Sequence, residues 1–310
     1  PDAVRWVDVS ASQMRLMEAP LDIAETVRER LMKPAEPAPW HDEPAVADAA
    51  DTRPRTWVFT SATLGDDDKL SWFTEPCGLD NAQVLRVSSP FDYPQQAALY
   101  VPRNIVRPND PSHSAQVANL ASEATRIMGG RTLVLTTTLR ALRAIGELMK
   151  QQLDGSDIDV LVQGEWPKRY LMDRFRAGAD TSGKGCVLVA SATFWEGFDV
   201  PGDALQLVII DKLPFPPPND PLVEARSKRL EAQGRSSFND YFVPEAVVAL
   251  KQGAGRLIRR ETDEGVLVVC DNRLVTTGYG RRLLNGLPPM RRLESDEALR
   301  QALSDINPKH

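Results

Sequence analysis

Short, uninterrupted apolar runs that alternate with helical patterns from residue 55 onward most constrain how this chain folds. Residues 265–270, Gly-Val-Leu-Val-Val-Cys, are typical: no polar residue stands at alternate positions. A strand of this kind is buried on both of its faces. Such strands, separated by helices, are typical of a parallel sheet that lies between two helix layers. The sequence therefore predicts an α/β fold with a parallel sheet between helix layers.

The same patterns predict the order of the elements. Strands are expected at residues 56–60, 83–87, 131–136, 158–162, 186–190, 205–210 and 266–270. Helices are expected at roughly 112–128, 139–153, 168–176, 220–232, 244–257 and 295–303. A strand at 4–9 and a short helix at 21–32 precede residues 33–54, which are rich in proline and alanine and are expected to form a linker.

Composition excludes several classes of protein. A hydrophobic content of 42% and a charged content of 26% exclude a disordered chain. The 37 basic and 43 acidic residues give a net charge of -6, so any nucleic-acid site must be local. The three cysteines, Cys77, Cys186 and Cys270, show no metal-site or disulfide spacing and favour a reducing, cytoplasmic compartment. The apolar runs are shorter than a membrane helix requires, and residues 1–3 begin no signal peptide.

The strongest motif is Gln252-Gly-Ala-Gly-Arg-Leu-Ile-Arg259, at the end of a predicted helix. Two arginines three residues apart are expected to project from one helical face. With Gly253 and Gly255 allowing close approach of the backbone, Arg256 and Arg259 suit a clamp for a polyphosphate. The alternative is a helix that frays at Gly253 and ends in solvated basic side chains favoured by the helix dipole.

A second motif occupies residues 191–202 and follows the predicted strand 186–190. Ligands of open α/β sheets bind at the carboxyl ends of strands, so this turn is a candidate site. Its candidate binding residues are Glu196, Gly197 and Asp199, with Ser191 and Thr193 as backbone contacts and Phe194 and Trp195 as exposed aromatic rings for base stacking. The alternative is that Asp199 caps a turn and the aromatic rings cover the edge of the core.

Hydroxyl residues follow two other predicted strands. Ser61 and Thr63 lie in Thr-Ser-Ala-Thr-Leu-Gly, residues 60–65, where they could bridge a phosphate or form an ordinary serine/threonine turn. Thr136, Thr137 and Thr138 precede a predicted helix, where they could contact a phosphate chain or cap the helix.

Two further patterns are rejected. Residues 178–185 nearly match the phosphate-loop pattern G-x-x-x-x-G-K-[ST], but Gly185 stands where the hydroxyl should be. The segment also runs from a helix to a strand, the reverse of a phosphate loop. The stretch His-Asp-Glu-Pro-Ala at 41–45 has no apolar strand before it, so it is not a magnesium-binding box.

Residues 60–64, 192–202 and 252–259 resemble motifs III, V and VI of superfamily 2 helicases, in the correct order. The stretches Phe-Trp-Glu-Gly-Phe-Asp-Val-Pro at 194–201 and Lys-Leu-Pro-Phe-Pro at 212–216, with Asn-Asp-Pro at 219–221, resemble the XPD/DinG family. Residues 265–274 resemble its bacterial YoaA-type members. The resemblance extends from about residue 4 to residue 289.

The resemblance implies two RecA-like motor domains that bind ATP between them and single-stranded DNA across both. Residues 91–310 would form the second RecA-like domain, and residues 1–90 the last elements of the first. Arg256 and Arg259 would act catalytically on the phosphates, with Gln252 and Gly255 binding beside them. Glu196, Gly197 and Asp199 would sense nucleotide and strand, and Ser61 and Thr63 would couple the two domains.

The resemblance also implies groups for which this sequence has no ligands. The main ligands of ATP and Mg²⁺, and the four cysteines of an iron–sulfur cluster, would belong to the part of the first domain that this sequence lacks. The chain is therefore expected to be a piece of a longer helicase that moves 5′ to 3′, with a DNA polymerase clamp-loader subunit as an expected partner. The alternatives are a non-catalytic RecA-like domain that binds a partner, and another superfamily 2 translocase.

Overall fold

The computed structural model describes residues 3–10, 13–32, 56–61, 63–65, 67–178, 183–191, 194 and 204–307. These residues fall into two compact units. The first contains the described residues up to Arg86 together with Pro216–Pro244, and the second contains Val87–Phe215 together with those from Glu245 onward. The sequence patterns gave no indication that residues 216–244 group with the first unit.

A seven-stranded parallel sheet forms the centre of the second unit. Its strands are β3 (Ala97–Tyr100), β4 (Thr132–Thr136), β5 (Ile158–Val162), β6 (Gly185–Ser191), β7 (Leu207–Ile210), β8 (Gly265–Val269) and β9 (Arg291–Leu293). Their order across the sheet is β5-β6-β4-β7-β8-β3-β9.

Eight helices of the described second unit precede, separate or follow these strands in the chain. They are α3 (Tyr93–Gln96), α4 (His113–Met128), α5 (Leu139–Gln152), α6 (Lys168–Ala177), α8 (Val243–Ala254), which starts at the boundary of the first unit, α9 (Arg273–Thr276), α10 (Gly278–Gly286) and α11 (Asp296–Ile306). Val187 and Val189 of β6 belong to the core built with α4, α5 and α11. Leu188 and Ala190 alternate with them, are equally buried and face the other side of the sheet. The predicted α/β fold, with a parallel sheet covered on both faces, is therefore confirmed.

Because all strands of the sheet run in the same direction, the sheet has a carboxyl edge and an amino edge. Thr136, at the end of β4, is the register partner of Ser191, at the end of β6, so both lie at the carboxyl edge. Gly265, which begins β8, pairs with Ala97, which begins β3, so the segment that enters β8 lies at the amino edge. The motif around Arg256 therefore lies at the opposite edge of the sheet from Thr136 and Ser191.

The first unit contains an antiparallel hairpin of β1 (Ala3–Val9) and β2 (Met14–Pro20). Its other elements are α1 (Ala24–Thr26), a π-helical turn (Val27–Met32), α2 (Ser71–Thr74), α7 (Pro221–Ala232) and a second π-helical turn (Phe238–Phe242). Helix α7 packs against β1.

Two strand predictions, at residues 56–60 and 83–87, are wrong for the described structure, in which neither segment forms a strand. The apolar side chains of Val58, Leu85 and Val87 are largely exposed. A strand requires a neighbouring strand for its backbone groups, and none pairs with these segments among the described residues. Apolar composition alone therefore did not produce a strand here.

Other differences concern short or irregular elements. The helix predicted at 21–32 is one α-helical turn followed by a π-helical turn, and the helix predicted at 244–257 ends at Ala254. The sequence patterns missed β2, β3, β9 and α10. No helix in the described part of the chain combines the length and the apolar character that crossing a bilayer requires.

Candidate functional site

The predicted arginine motif lies where α8 ends. Gln252 is in the last turn of the helix, and Gly255 is the first residue after it. Arg256 is in the following turn, where its N–H donates to the Gly253 carbonyl at 3.2 Å. Arg259 lies beyond that turn. The expectation that both guanidinium groups project from one helical face is therefore wrong, because the helix ends before either residue.

A buried carboxylate fixes the segment that carries Arg259. Oδ2 of Asp263 accepts the backbone N–H groups of Arg259 and Arg260, each at 2.9 Å. Gln96 supports this loop from the start of β3, since its Nε2 donates to the carbonyls of Arg260, at 2.9 Å, and Asp263, at 3.0 Å. The backbone of the motif is therefore held against the amino edge of the sheet.

Burial also shapes the electrostatics of the two arginines. Desolvation lowers the pKa of Arg256 and of Arg259, and the nearby Asp263 carboxylate partly offsets this for Arg259. Both guanidinium groups remain cationic at neutral pH because an arginine side chain does not deprotonate in proteins. A half-buried cation is poorly hydrated and gains more from an anionic ligand than an exposed one does. These two side chains therefore fit phosphate oxygens, which a guanidinium can bind with two parallel hydrogen bonds.

Three threonines at the carboxyl edge have separate roles. Thr136 is buried at the end of β4. The backbone N–H of Thr137 donates to Oδ1 of Asp211 at 3.0 Å. Thr138 caps α5, since its side chain accepts the Ala141 N–H at 3.2 Å. The capping role is thus present at Thr138, and a phosphate contact at these residues stays a prediction.

Two aspartates at this edge were missed by sequence reasoning. Asp211 directly follows β7, is 1% exposed, and accepts the N–H of Lys212 at 2.8 Å. Burial raises the pKa of its carboxyl to about 7. Asp271, two residues after β8, is fully buried and accepts the Leu213 N–H at 3.0 Å and the Arg273 guanidinium at 2.6 Å. An aspartate within two residues of an apolar strand is the sequence signal that could have identified both.

Ser191 and Phe194 represent the second motif in the described structure. The N–H and Oγ of Ser191 lie 2.7 and 2.9 Å from Oε1 of Gln163. Phe194 is only 5% exposed, and the Lys168 ammonium lies 4.9 Å from the centre of its ring. The expectation that Phe194 is exposed for base stacking is wrong, because the ring is part of the core. Thr193, Trp195, Glu196, Gly197 and Asp199 lie outside the described residues.

Ser61 and Thr63 belong to the first unit and form a local turn. The Thr63 N–H donates to Oγ of Ser61 at 3.2 Å, and the two hydroxyl oxygens are 3.3 Å apart. This is the serine/threonine turn named above as an alternative. Their predicted coupling role remains a prediction.

The cysteines do not fit an iron–sulfur cluster. Cys186 is the second residue of β6, whereas Cys270 follows the carboxyl end of β8, and both are buried free thiols. Burial raises the pKa of Cys186 to about 11 and that of Cys270 further, which disfavours the thiolate that binds iron. Cys77 lies in the first unit.

Comparison with known families identifies the domain. The profile of the helicase C-terminal domain matches residues 121–290, which include most of the sheet and both arginines. The chain belongs to this helicase family. The predicted resemblance to XPD/DinG-type helicases is confirmed by this match together with the relatives that follow.

Two curated relatives illustrate the similarity. The chain is 38% identical over 284 residues to "ATP-dependent DNA helicase YoaA" of Escherichia coli, covering 92% of the chain and 40% of that protein. It is 38% identical over 252 residues to "ATP-dependent helicase DinG" of Mycobacterium tuberculosis, covering 80% of the chain and 37% of that protein. A solved XPD helicase is 16% identical, with a TM-score of 0.45, over 64% of this chain and 36% of that one. The chain thus spans about 40% of the length of these curated relatives.

Proposed function

We propose that this chain is the C-terminal motor portion of an ATP-dependent DNA helicase that moves 5′ to 3′ on single-stranded DNA. Membership of the helicase C-terminal domain family supports this proposal, as do the names of the two relatives. In the proposal, residues 91–310 form the second RecA-like domain and residues 1–90 belong to the first. Such a helicase would act in DNA repair or replication in the cytoplasm.

The observation that carries the proposal is the fixed, half-buried arginine segment at the amino edge of the sheet. Asp263 and Gln96 hold its backbone, and burial prepares Arg256 and Arg259 for an anion. A purely solvated basic helix end would require neither the carboxylate nor the burial. A loop of this kind suits the phosphates of ATP, the substrate.

Each group of residues has a role in the proposed cycle. Arg259 and Arg256 bind the phosphate oxygens, and they stabilise the charge that develops on the γ-phosphoryl group in the transition state. Gln252 and Gly255 lie beside that site, and Glu196, Gly197 and Asp199 sense nucleotide and strand together. The DNA strand is contacted by the backbone and hydroxyl groups of Thr136, Thr137, Thr138, Ser191 and Thr193. Trp195 stacks on a base. Ser61 and Thr63 couple the two motor domains.

The remaining ligands of the nucleotide belong to the first motor domain in this proposal. Mg²⁺ supplies charge neutralisation of the phosphates when it is bound there. The iron–sulfur cluster of the intact helicase would likewise be held outside this sequence. A clamp-loader subunit of DNA polymerase is the proposed protein partner, and titration calorimetry of the two purified proteins would test that contact.

Replacement of Arg259 by alanine in the intact helicase tests the proposal. Turnover of ATP should fall by roughly 10³-fold or more, because a positioned arginine acts mainly in the transition state. Affinity for ATP and for single-stranded DNA should remain nearly unchanged. Steady-state ATPase kinetics and equilibrium binding of nucleotide and DNA measure these quantities separately. Arg300→Ala, which removes an exposed arginine paired with Glu123, is the matched control.

Two further variants sharpen this test. Arg259→Lys should not restore turnover, since an ammonium group cannot bind two oxygens in the planar manner of a guanidinium. The double variant with Arg256→Ala should be little worse than the more damaging single variant if both side chains serve one transition state. If Arg259→Ala weakened ATP binding but left turnover at saturating ATP normal, Arg259 would bind ATP in the ground state and would not stabilise the transition state. No change in either quantity would favour a non-catalytic RecA-like domain instead.

A further inference from the structure

An exposed aromatic pair lies beside the carboxyl edge of the sheet, at the start of α6. Trp166 is 56% exposed and Tyr170 is 49% exposed. Their ring centres are 5.2 Å apart, with an angle of 38° between the ring planes. Because the two rings contact each other, they form one exposed apolar patch of the kind that a ligand or a partner can cover.

A tight turn of the backbone fixes the position of this aromatic pair. Residues 163–166 make a tight turn directly after β5, with Gln163 bridged to Trp166 and the Glu165 N–H donating to the Val162 carbonyl at 3.2 Å. Gly164 adopts a φ of +95°, a backbone conformation that favours glycine. The turn therefore places Trp166 two residues before α6, and Tyr170 lies in the first turn of that helix.

The aromatic pair adjoins residues already proposed to contact DNA. Gln163, three residues before Trp166, receives both hydrogen bonds from Ser191. Strand β5 is the neighbour of β6 in the sheet, so its carboxyl end lies next to that of β6. The aromatic pair extends the carboxyl edge by one strand beyond Ser191.

Local charge on α6 favours an anionic chain. Lys168 and Arg169 lie between the two aromatic residues, and the Arg169 side chain is 93% exposed. The nearest acidic side chains form ion pairs. Glu165 pairs with Lys150, and the two carboxylate oxygens of Asp173 lie 3.8 Å from Nε of Arg169 and 3.8 Å from Nη1 of Arg176. Aromatic rings flanked by cations are the arrangement by which proteins bind single-stranded nucleic acid, the rings stacking on bases and the cations meeting phosphates.

We infer that Trp166 and Tyr170, with Lys168 and Arg169, form a stacking site for the bases of single-stranded DNA at the carboxyl end of β5. The inference rests on the proposed function, because it adds a contact to the DNA strand of that proposal. It takes over the stacking role expected of Phe194, whose ring is buried.

Binding of a fluorescent oligothymidylate of about 16 nucleotides to the purified 310-residue chain tests the inference by anisotropy. The double variant Trp166→Ala/Tyr170→Ala should bind about tenfold more weakly, or worse, whereas Trp166→Phe, which keeps a ring, should bind nearly normally. Arg169→Gln should reduce the salt dependence of binding by about one phosphate contact. Phe238→Ala, at an exposed aromatic residue of the first unit, is the control.

Photocrosslinking gives a direct readout that does not depend on affinity. An oligonucleotide that carries 5-iododeoxyuridine should crosslink to Trp166 or Tyr170, as located by mass spectrometry of the peptides. Unchanged affinity of the double variant, with crosslinks only elsewhere, would overturn the inference and leave the pair as a surface for a protein. DNA binding by the parent chain would still stand in that case.

The two proposals can fail separately. If the parent chain and the intact helicase bind no single-stranded DNA, both the inference and the DNA part of the proposed function are wrong. If DNA binding depends on Trp166 but Arg259→Ala leaves ATP turnover intact, the stacking site stands and the proposed role of the arginine fails.

Discussion

The Asp263 carboxylate accepts two backbone N–H groups in the loop around Arg259, so its removal should lower the stability of the chain. Asp263→Ala leaves two backbone N–H groups without their acceptor, at a cost of roughly 1–3 kcal/mol. Asp263→Asn keeps an oxygen acceptor and should cost less. Urea unfolding of the chain measures both, with Asp305→Ala, at an exposed residue of α11, as the control. Equal stability of Asp263→Ala and the parent chain would mean that the loop is held by other contacts.

Asp211 should give the chain a specific dependence of stability on pH. Burial raises the pKa of this carboxyl to about 7, above the value of about 4 expected in the unfolded chain. The folded state then binds more protons than the unfolded state between these values. The stabilisation from Asp211 is therefore fully present below about pH 4 and is lost as pH rises towards 7.

Comparison with Asp211→Asn isolates this effect. Asparagine can accept the same N–H groups and does not ionise, so the stability difference in favour of the variant should grow with pH by at most about 1.4 kcal/mol per unit. Urea unfolding of both proteins at several pH values measures the difference. If the difference in unfolding free energy between the two proteins stayed constant from about pH 4 to 7, the pKa of the Asp211 carboxyl would not be raised in the folded protein.

At the level of elements, the regularity of the apolar pattern decided which predictions succeeded. The strands at 132–136, 158–162 and 185–191 and the helices at 113–128 and 139–152 were predicted to within two residues, because strands buried on both faces give a continuous apolar signal and helices buried on one face give a periodic one. Strand β9 has three residues, two of them arginines, and shows no apolar run, and the four residues of β3 follow directly on α3. The segments 56–60 and 83–87 show the reverse case, in which an apolar run lacks a neighbouring strand.

Some residues of the candidate site could be located from sequence patterns, and others only from tertiary packing. Sequence motifs located Arg256, Arg259 and the hydroxyl residues, because their types and spacing carry chemistry. Sequence could not show that Phe194 enters the core or that Asp263 is the acceptor for the arginine loop, since both depend on tertiary packing. Trp166 was missed because a single aromatic residue has no motif.

Packing at Gly185 allows a test of the prediction that residues 178–185 are not a phosphate loop. A Cβ atom on Gly185 would lie 1.9 Å from the Gly129 carbonyl oxygen, in the loop between α4 and β4. Gly185→Ser, which completes the phosphate-loop pattern, should therefore destabilise the chain by about 1–3 kcal/mol without creating a nucleotide site. Thermal unfolding and nucleotide titration measure the two effects. Gly278→Ala is the control, because open space surrounds that position.

A stable Gly185→Ser variant would contradict this account, because it would show that the start of β6 can move away from the Gly129 carbonyl. Nucleotide binding gained by the variant would contradict the rejection of the segment as a phosphate loop. The helix-to-strand direction of the segment argues against such a gain.

At the scale of the whole molecule, the two units differ in how deeply their apolar side chains are buried. In the first unit, Val9, Met14 and Leu16 of the hairpin, together with Val58 and Leu85, are largely exposed. In the second unit, the central strands are completely buried. Within the described residues, the more deeply buried core is therefore that of the second unit, which also carries both arginines and the carboxyl-edge residues.

The chain on its own should not hydrolyse ATP. Phosphoryl transfer requires a phosphate-loop lysine and a bound Mg²⁺ as well as arginines, and this sequence has no segment that qualifies as a phosphate loop. In the proposed function, Arg256 and Arg259 provide only one wall of the nucleotide site, so affinity of the chain for ATP should also be weak. A coupled ATPase assay with and without single-stranded DNA measures turnover in the purified chain. DNA-stimulated hydrolysis that disappears in Arg256→Ala would show that these residues complete a site within the chain itself, and the division of the machinery between two motor domains would then be wrong.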